Sequence, residues 1–146
     1  VCSSDLSLGL IVWGRGQEVK AEFTSVTSDE IRDLRLSGTT ISEERRIPLV
    51  AYLGDSAPQG LDDCPDMYLA KILIAEMTFV APGHRRDKIH KHGHIHLDDI
   101  VERRDRFKNE KVVLAHFSTR YHGRQIERFV ADAMPDMLDG RLELWV

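Results

Sequence analysis

Three short apolar runs in this 146-residue chain each end in a side chain suited to holding a metal or moving a proton. Leu49-Val50-Ala51-Tyr52-Leu53-Gly54 leads to Asp55, Lys71-Ile72-Leu73-Ile74-Ala75 to Glu76, and Lys111-Val112-Val113-Leu114-Ala115 to His116. Runs of this length, rich in β-branched and aliphatic residues, read as buried strands. Functional side chains of an α/β sheet gather beyond the carboxyl ends of its strands. Neighbouring strands would bring Asp55, Glu76 and His116 to one edge of one sheet. Carboxylate and imidazole donors there suit a hard or borderline dication such as Zn2+ or Mn2+.

A second concentration of chemistry follows Glu76. All seven histidines lie between His84 and His122, and His90, His92, His94 and His96 alternate. The stretch from Val80 to Gly93 reads as a long basic loop, with Arg85, Arg86, Lys88 and Lys91 among its histidines. His84, His90 and His92 are equally well explained as solvated loop residues. His94, beside Gly93 and ahead of a helix start, is the stronger functional candidate.

The elements that must position these residues alternate between strand and helix, which makes the fold class α/β in one compact domain. Leu8 to Trp13 reads as a strand and Gly14-Arg15-Gly16-Gln17 as a turn-like link. Thr27 and Glu30 have the spacing of a capping box, so a short helix with Ile31 and Leu34 runs to a stop at Gly38. Thr39 to Arg46 is polar and reads as a short edge strand. A short helix around Asp66 to Ala70 precedes the Glu76 strand. Another is expected over Leu97 to Lys108, with Asp98 and Asp99 complementing its dipole. A last helix is expected over Gly123 to Met134, where Ile126, Phe129, Val130 and Ala133 keep helical spacing. Leu142 to Val146 alternates as a closing strand.

Bulk properties bound the partners. The 42% apolar and 30% charged content is that of an ordinary soluble domain, and a formal net charge of −4 gives no global attraction to nucleic acid. No apolar run approaches the roughly 20 residues of a membrane span. Two cysteines, Cys2 and Cys64, without a framework pattern point to a reducing compartment, so cytoplasmic location and no membrane partner are expected. Residues 1–6, Val-Cys-Ser-Ser-Asp-Leu, are what a common sequencing-adapter tail encodes when translated in frame. They are read as an artefact, with the natural sequence expected from about Ser7 onward and upstream residues expected to be missing.

Read alone, His94-Ile95-His96-Leu97-Asp98-Asp99 resembles the H-x-H-x-D-H metal motif of the metallo-β-lactamase superfamily. Its position is wrong for that motif, because it falls between a strand-end Asp and a strand-end His. The motifs taken in order resemble instead the C-terminal half of ribonuclease Z-type members of that superfamily. Gly54-Asp55-Ser56 is similar to the family's Gly-Asp-Thr, and Ala75-Glu76-Met77-Thr78-Phe79 to its His-Glu-Ala-Thr-Phe. Gly93-His94-Ile95-His96 is similar to its Gly-His-Ser-Thr, with Asp99 at the acidic position. Leu114-Ala115-His116-Phe117-Ser118-Thr119-Arg120-Tyr121 is similar to its Leu-Thr-His-x-Ser-x-Arg-Tyr, the most specific match.

The resemblance implies an αββα sandwich of which residues 7–146 are mainly the C-terminal half. It implies two divalent metal ions, Zn2+ or else Mn2+, with Asp55 bridging them and His116 completing the second ion's ligands. Glu76 and His94 would form a carboxylate–imidazole pair that protonates the leaving oxygen. Ser118 and Arg120 would contact substrate phosphate, and the extra His96 is a further candidate for substrate binding. The substrate implied is RNA cleaved at the tRNA 3′ end, by an enzyme homodimeric at full length.

Three departures weigh on this: Ala75 replaces a His, Ile95 and His96 replace Ser and Thr, and residues 14–42 lack the family's Gly-Pro-containing arm segment. Two alternatives stay open, a same-fold hydrolase of small-molecule esters, lactones or cyclic nucleotides, and a non-catalytic binding protein. With two of the family's metal ligands, the chain alone is expected to be inactive. A lone half should also expose the sheet face that packs on its partner sheet.

Overall fold

The computed structural model describes the backbone of residues 2–4 and 7–146, with side chains from residue 9 onward. The artefact expectation falls on a segment of which Val1, Asp5, Leu6 and all the side chains lie outside the described residues. One six-stranded sheet has the order β1-β2-β3-β4-β5-β6, the same as the chain order. The strands are β1 (Cys2–Ser4), β2 (Ser7–Val19), β3 (Ser42–Leu53), β4 (Ile72–Glu76), β5 (Lys111–Ala115) and β6 (Leu142–Leu144). β1 and β2 pair antiparallel, and β3 to β6 are all parallel. Parallel neighbours need crossover connections. These contain the helices α2 (Gln59–Asp62), α3 (Arg86–Lys91), α4 (Leu97–Glu102) and α5 (Gly123–Ala133), while α1 (Ser28–Leu36) lies between β2 and β3.

The chain divides into two compact units, residues 1–12 with 48–146, and residues 13–47. In the larger unit, alternate residues of the parallel strands are buried: Ala51 and Leu53, Leu73 and Ala75, Val112 and Leu114. They pack with Leu61, Met67, Ile100, Ile126 and Val130 from the connections. Of the other parity, Tyr52 is 49% and Ile72 38% exposed while Val113 is buried; on β2, Leu10 and Val12 are also exposed. The sheet therefore carries apolar side chains on a face that this chain does not fully cover, as expected for part of a sandwich. Cys64 is buried and disulfide-bonded. Among the described residues no helix is long and apolar enough to cross a membrane.

The smaller unit corrects the reading of its strands. Gly14 to Gln17 is not a turn but part of β2, and the polar stretch after Thr39 runs into the long strand β3. Cross-strand pairs replace hydrophobic alternation here: Arg15 with Glu44 at 3.4 Å, Glu18 with Arg45, and Arg46 over the Trp13 ring at 5.0 Å. A Cβ at Gly16 would sit 2.5 Å from Ile47 Cδ1, so any larger residue there makes the end of the Ile47 side chain shift. The Thr27–Glu30 capping box forms as expected, and Gly38 takes a positive φ of 83° past the end of α1.

Two other boundaries differ. The expected loop after Val80 contains α3, too short and too polar to show a period. The helix expected over Leu97 to Lys108 ends at Glu102 and passes into a 3-10 turn at Arg104–Arg106. That tightening lets Phe107 reach the core against Tyr68 (ring centroids 5.1 Å apart) and directs Arg103 and Arg106 to Asp62.

Candidate metal centre

Parallel register explains how three distant residues meet. Leu53 pairs with Ala75 and Glu76 with Ala115, so β3, β4 and β5 end together. Asp55 lies two residues past β3, Glu76 closes β4, and His116 is the first residue past β5. The strand leaving Glu76 is then stitched on both sides. Met77 N–H donates to Ala115 O at 2.8 Å and Ser118 N–H to Thr78 O at 2.9 Å. On the other side, Phe79 N–H donates to Ile95 O at 3.2 Å and Leu97 N–H to Phe79 O at 2.8 Å. That second seam brings His94 to the strand ends.

His116 sits at φ 63°, the left-handed region that non-glycine residues seldom occupy. Such conformations cost on the order of 1–3 kcal/mol and cluster at functional sites. Here the turn presents the imidazole to Asp55, with Nδ1 3.2 Å from Oδ1. Asp55, His94 and His116 each offer one ligand atom, all within 4.8 Å of one another. Sequence reasoning paired Asp55 with His116 for metal and reserved His94 for proton transfer; the fold brings all three within reach of one ion.

Glu76 lies beneath this cluster, 3% exposed. It accepts 2.7 Å from the Thr78 hydroxyl and a bond from the Ile95 N–H, and lies 3.8 Å from His94 Nδ1 and 3.9 Å from His116 Nδ1. Burial pushes its pKa up to about 8; the Thr78 and Ile95 hydrogen bonds oppose this and the Asp55 charge adds to it. Thr78 is the residue sequence reasoning passed over. Its hydroxyl also touches His94 Nδ1 at 3.1 Å and His116 Nδ1 at 3.4 Å. With its proton on Glu76, the hydroxyl can accept from a ring that carries its proton on Nδ1, and in that tautomer Nε2 keeps a free lone pair. The residues thus fit a divalent ion: a carboxylate and two imidazoles with oriented rings.

The other candidates divide. Arg120 is exposed and lines a cavity that His94 also lines, which suits a phosphate contact. Ser118 is half-buried, and its Oγ accepts from Arg120 N–H at 3.4 Å. His96, expected to bind substrate, is corrected by the structure. It is 2% exposed, caps α4 by accepting from Asp98 N–H at 3.1 Å, and spends Nε2 on Ala81 O at 2.9 Å. Both nitrogens serve the backbone and neither faces the site. His84 pairs with the Tyr121 hydroxyl at 2.7 Å and His90 with buried Asp99 at 2.9 Å, so neither is a plain solvated loop residue.

Known relatives share one named activity. The chain is 35% identical over 142 residues to the tRNase Z TRZ1 of Arabidopsis thaliana, covering 93% of this chain and 49% of that protein. It is 27% identical to the chloroplastic tRNase Z TRZ2 of the same plant, over 85% of this chain and 36% of the relative. Against the ribonuclease Z of Pyrobaculum islandicum it is 32% identical, over 82% of this chain and 38% of the relative. No family model matches. The chain spans half or less of the length of these curated relatives. Over most of its own length it is homologous to ribonuclease Z, an enzyme of the metallo-β-lactamase fold.

Proposed function

We propose that this chain carries part of a dinuclear, zinc-dependent phosphodiesterase site acting on RNA, with cleavage at the tRNA 3′ end as the named case. The observation that supports it most is the convergence of Asp55, His94 and His116 above a buried Glu76. Asp55 and His116 would hold metal, and divalent ions bound there would supply an activated water and neutralise charge at phosphorus. His94 Nε2 faces away from the Thr78 bond and would carry a proton to the leaving oxygen. Glu76, close to His94 Nδ1, would stabilise the protonated ring once its own carboxyl has ionised. Arg120 offers its guanidinium fork, and Ser118 a hydroxyl, to the phosphate.

The apolar sheet face around Tyr52 and Ile72 would be covered by the remainder of the sandwich, which would also bring further metal ligands. The chain alone should then bind zinc without hydrolysing phosphodiesters, and should self-associate through that face. Zinc binding by equilibrium dialysis, run beside hydrolysis of bis(p-nitrophenyl) phosphate, tests this. Loss of zinc binding in Asp55→Ala/His116→Ala supports it, and wild-type affinity in that variant sinks it. A same-fold hydrolase of small esters or cyclic nucleotides is the second reading, favoured by Ala75 in place of the family's His and by the mixed charges of residues 13–47.

A further inference from the structure

Beside the metal centre lies a cavity of about 570 Å³ that the proposed chemistry does not use in full. One wall is the segment 85–92. Arg85, Lys88 and His92, at spacing i, i+3 and i+7, line the cavity. Arg86 and His90, at i and i+4, turn to other work: Arg86 pairs with Glu102 at 2.6 Å and with Asp99, and His90 with Asp99. The segment is therefore anchored through one set of side chains while another set faces the opening. Arg120 stands among the lining residues from the far side of the sequence. Lys88, His92 and Arg120 have no hydrogen-bond or ion-pair partner for their side chains among the described residues. Arg85 is paired with Asp87 at 2.7 Å, so one negative charge offsets part of the wall.

Flat rings complete the cavity. Phe79 and His84 lie 5.1 Å apart at 54°, and the Tyr121 hydroxyl fixes the His84 ring. Unpaired cations that match a phosphate, together with aromatic faces that match a base, make a chemistry that neither a simple anion nor an apolar ligand would fill. The volume falls in the range of small-molecule sites.

We propose that this cavity is a nucleotide subsite. It takes the base and phosphate of a single-stranded residue adjoining the one held at the metal centre, with Arg85 and Lys88 on its phosphate, Phe79 and His84 against its base, and Arg120 left between it and the phosphate at the metal centre. The assignment deepens the RNA reading and rests on it. It also makes the 85–92 segment, and not only the strand ends, a determinant of which strand the site accepts.

The test is binding of adenosine 5′-monophosphate and of a short single-stranded oligoribonucleotide to the whole chain, with zinc binding measured on the same samples. Arg85→Ala/Lys88→Ala should weaken both nucleotide ligands by about tenfold or more, with zinc affinity and helical circular dichroism unchanged. For the oligonucleotide, the dependence of log affinity on log salt should flatten by about 0.7 for each phosphate that the variant no longer neutralises. Lys88→Gln, which keeps the length of the side chain, should show part of the same weakening. Nucleotide binding equal to wild type in the double variant overturns the proposal, as does inorganic phosphate binding as tightly as the nucleotide. A wild-type chain that binds zinc but no nucleotide rejects the subsite and leaves the metal centre standing. Nucleotide binding retained in Asp55→Ala/His116→Ala supports the subsite and separates it from the metal reading.

Discussion

Glu76 and Asp99 are both carboxyl groups that the fold removes from water, at 3% and 0% exposure, and the protein treats them in opposite ways. Burial also acts to raise the Asp99 pKa, but hydrogen bonds from His90, the His96 N–H and Arg86 together outweigh it and hold the group below the ordinary carboxylate range. Around Glu76 the hydrogen-bond donors are neutral, the two histidines stay beyond hydrogen-bond distance, and Asp55 adds a second negative charge. Asp99 has its positive charge supplied from within the chain, and its work is to join α3 to α4. Glu76 is buried beside a carboxylate and two oriented imidazoles without a bonded cation. A strongly perturbed acid in a cluster of potential ligands marks a site built for something the chain itself does not contain.

The largest effect that would sharpen this contrast is on pH dependence. The pKa of Glu76 in the folded chain, about 8, lies above the 4.5 of a free glutamate carboxyl. The folded state therefore holds the proton more tightly. The associated stability is fully present below about pH 4.5 and is lost as pH rises through about 8. The slope reaches about 1.4 kcal/mol per pH unit while one proton is at stake. Asp55, His94 and His116 are the ionisable groups that face Glu76. In the metal-free chain, Glu76→Gln should flatten the urea stability profile between those pH values. A slope unchanged in that variant would place the titration elsewhere and break the contrast.

Asp99→Ala comes next. It strands His90 and the His96 N–H and leaves Arg86 only Glu102, and unsatisfied groups of this kind cost about 2 kcal/mol. The urea midpoint at neutral pH should fall accordingly, with the m-value kept. A change below about 0.5 kcal/mol, the size of an ordinary surface substitution, would show that the Asp99 network is not structural.

Zinc then tests the two sites directly. At a free concentration one hundred times its dissociation constant, a ligand that binds only the folded state stabilises it by about 2.7 kcal/mol. The wild-type chain should gain this in thermal melts. Asp55→Ala/His116→Ala should not, and Glu76→Gln should keep most of it because Glu76 is outside the three-donor cluster.

What could be read from the sequence follows the same division. Asp55, Glu76 and His116 were legible because each closes an apolar run long enough to be a buried strand, and parallel neighbours align their carboxyl ends. The left-handed turn at His116 was not legible, because that conformation depends on the seams either side of Glu76 and no local residue signals it. The reading of Gly14 to Gln17 as a turn failed because the segment is paired across strands, Arg15 with Glu44 and Glu18 with Arg45, contacts the linear sequence cannot show. The segment 86–91 was hidden for a related reason. One buried residue, Ile89, is too few for a period, and its helix is fixed through Asp99, ten residues further on. Histidine spacing drew attention to the right segment but did not sort its members, since exposure and partners separate His94 from His96, not residue type.

His96 gives the smallest effect and the finest discrimination. Its Nδ1 stands in for the usual side-chain oxygen at a helix N-cap, and the Asp99 carboxylate returns the favour at the His96 N–H, 2.9 Å away. Asparagine can accept from the same Asp98 N–H, but its shorter side chain cannot be counted on to reach Ala81 O. His96→Asn should therefore cost about 1 kcal/mol, and His96→Ala somewhat more, on the scale of lost caps. Neither substitution touches Asp55, His94 or His116, so zinc affinity should stay at the wild-type value, and nucleotide affinity with it. If His96→Asn instead left stability intact and weakened nucleotide binding, its ring would have to swing out of a position that is 2% exposed, and the assignment of His96 to the α4 cap would fall.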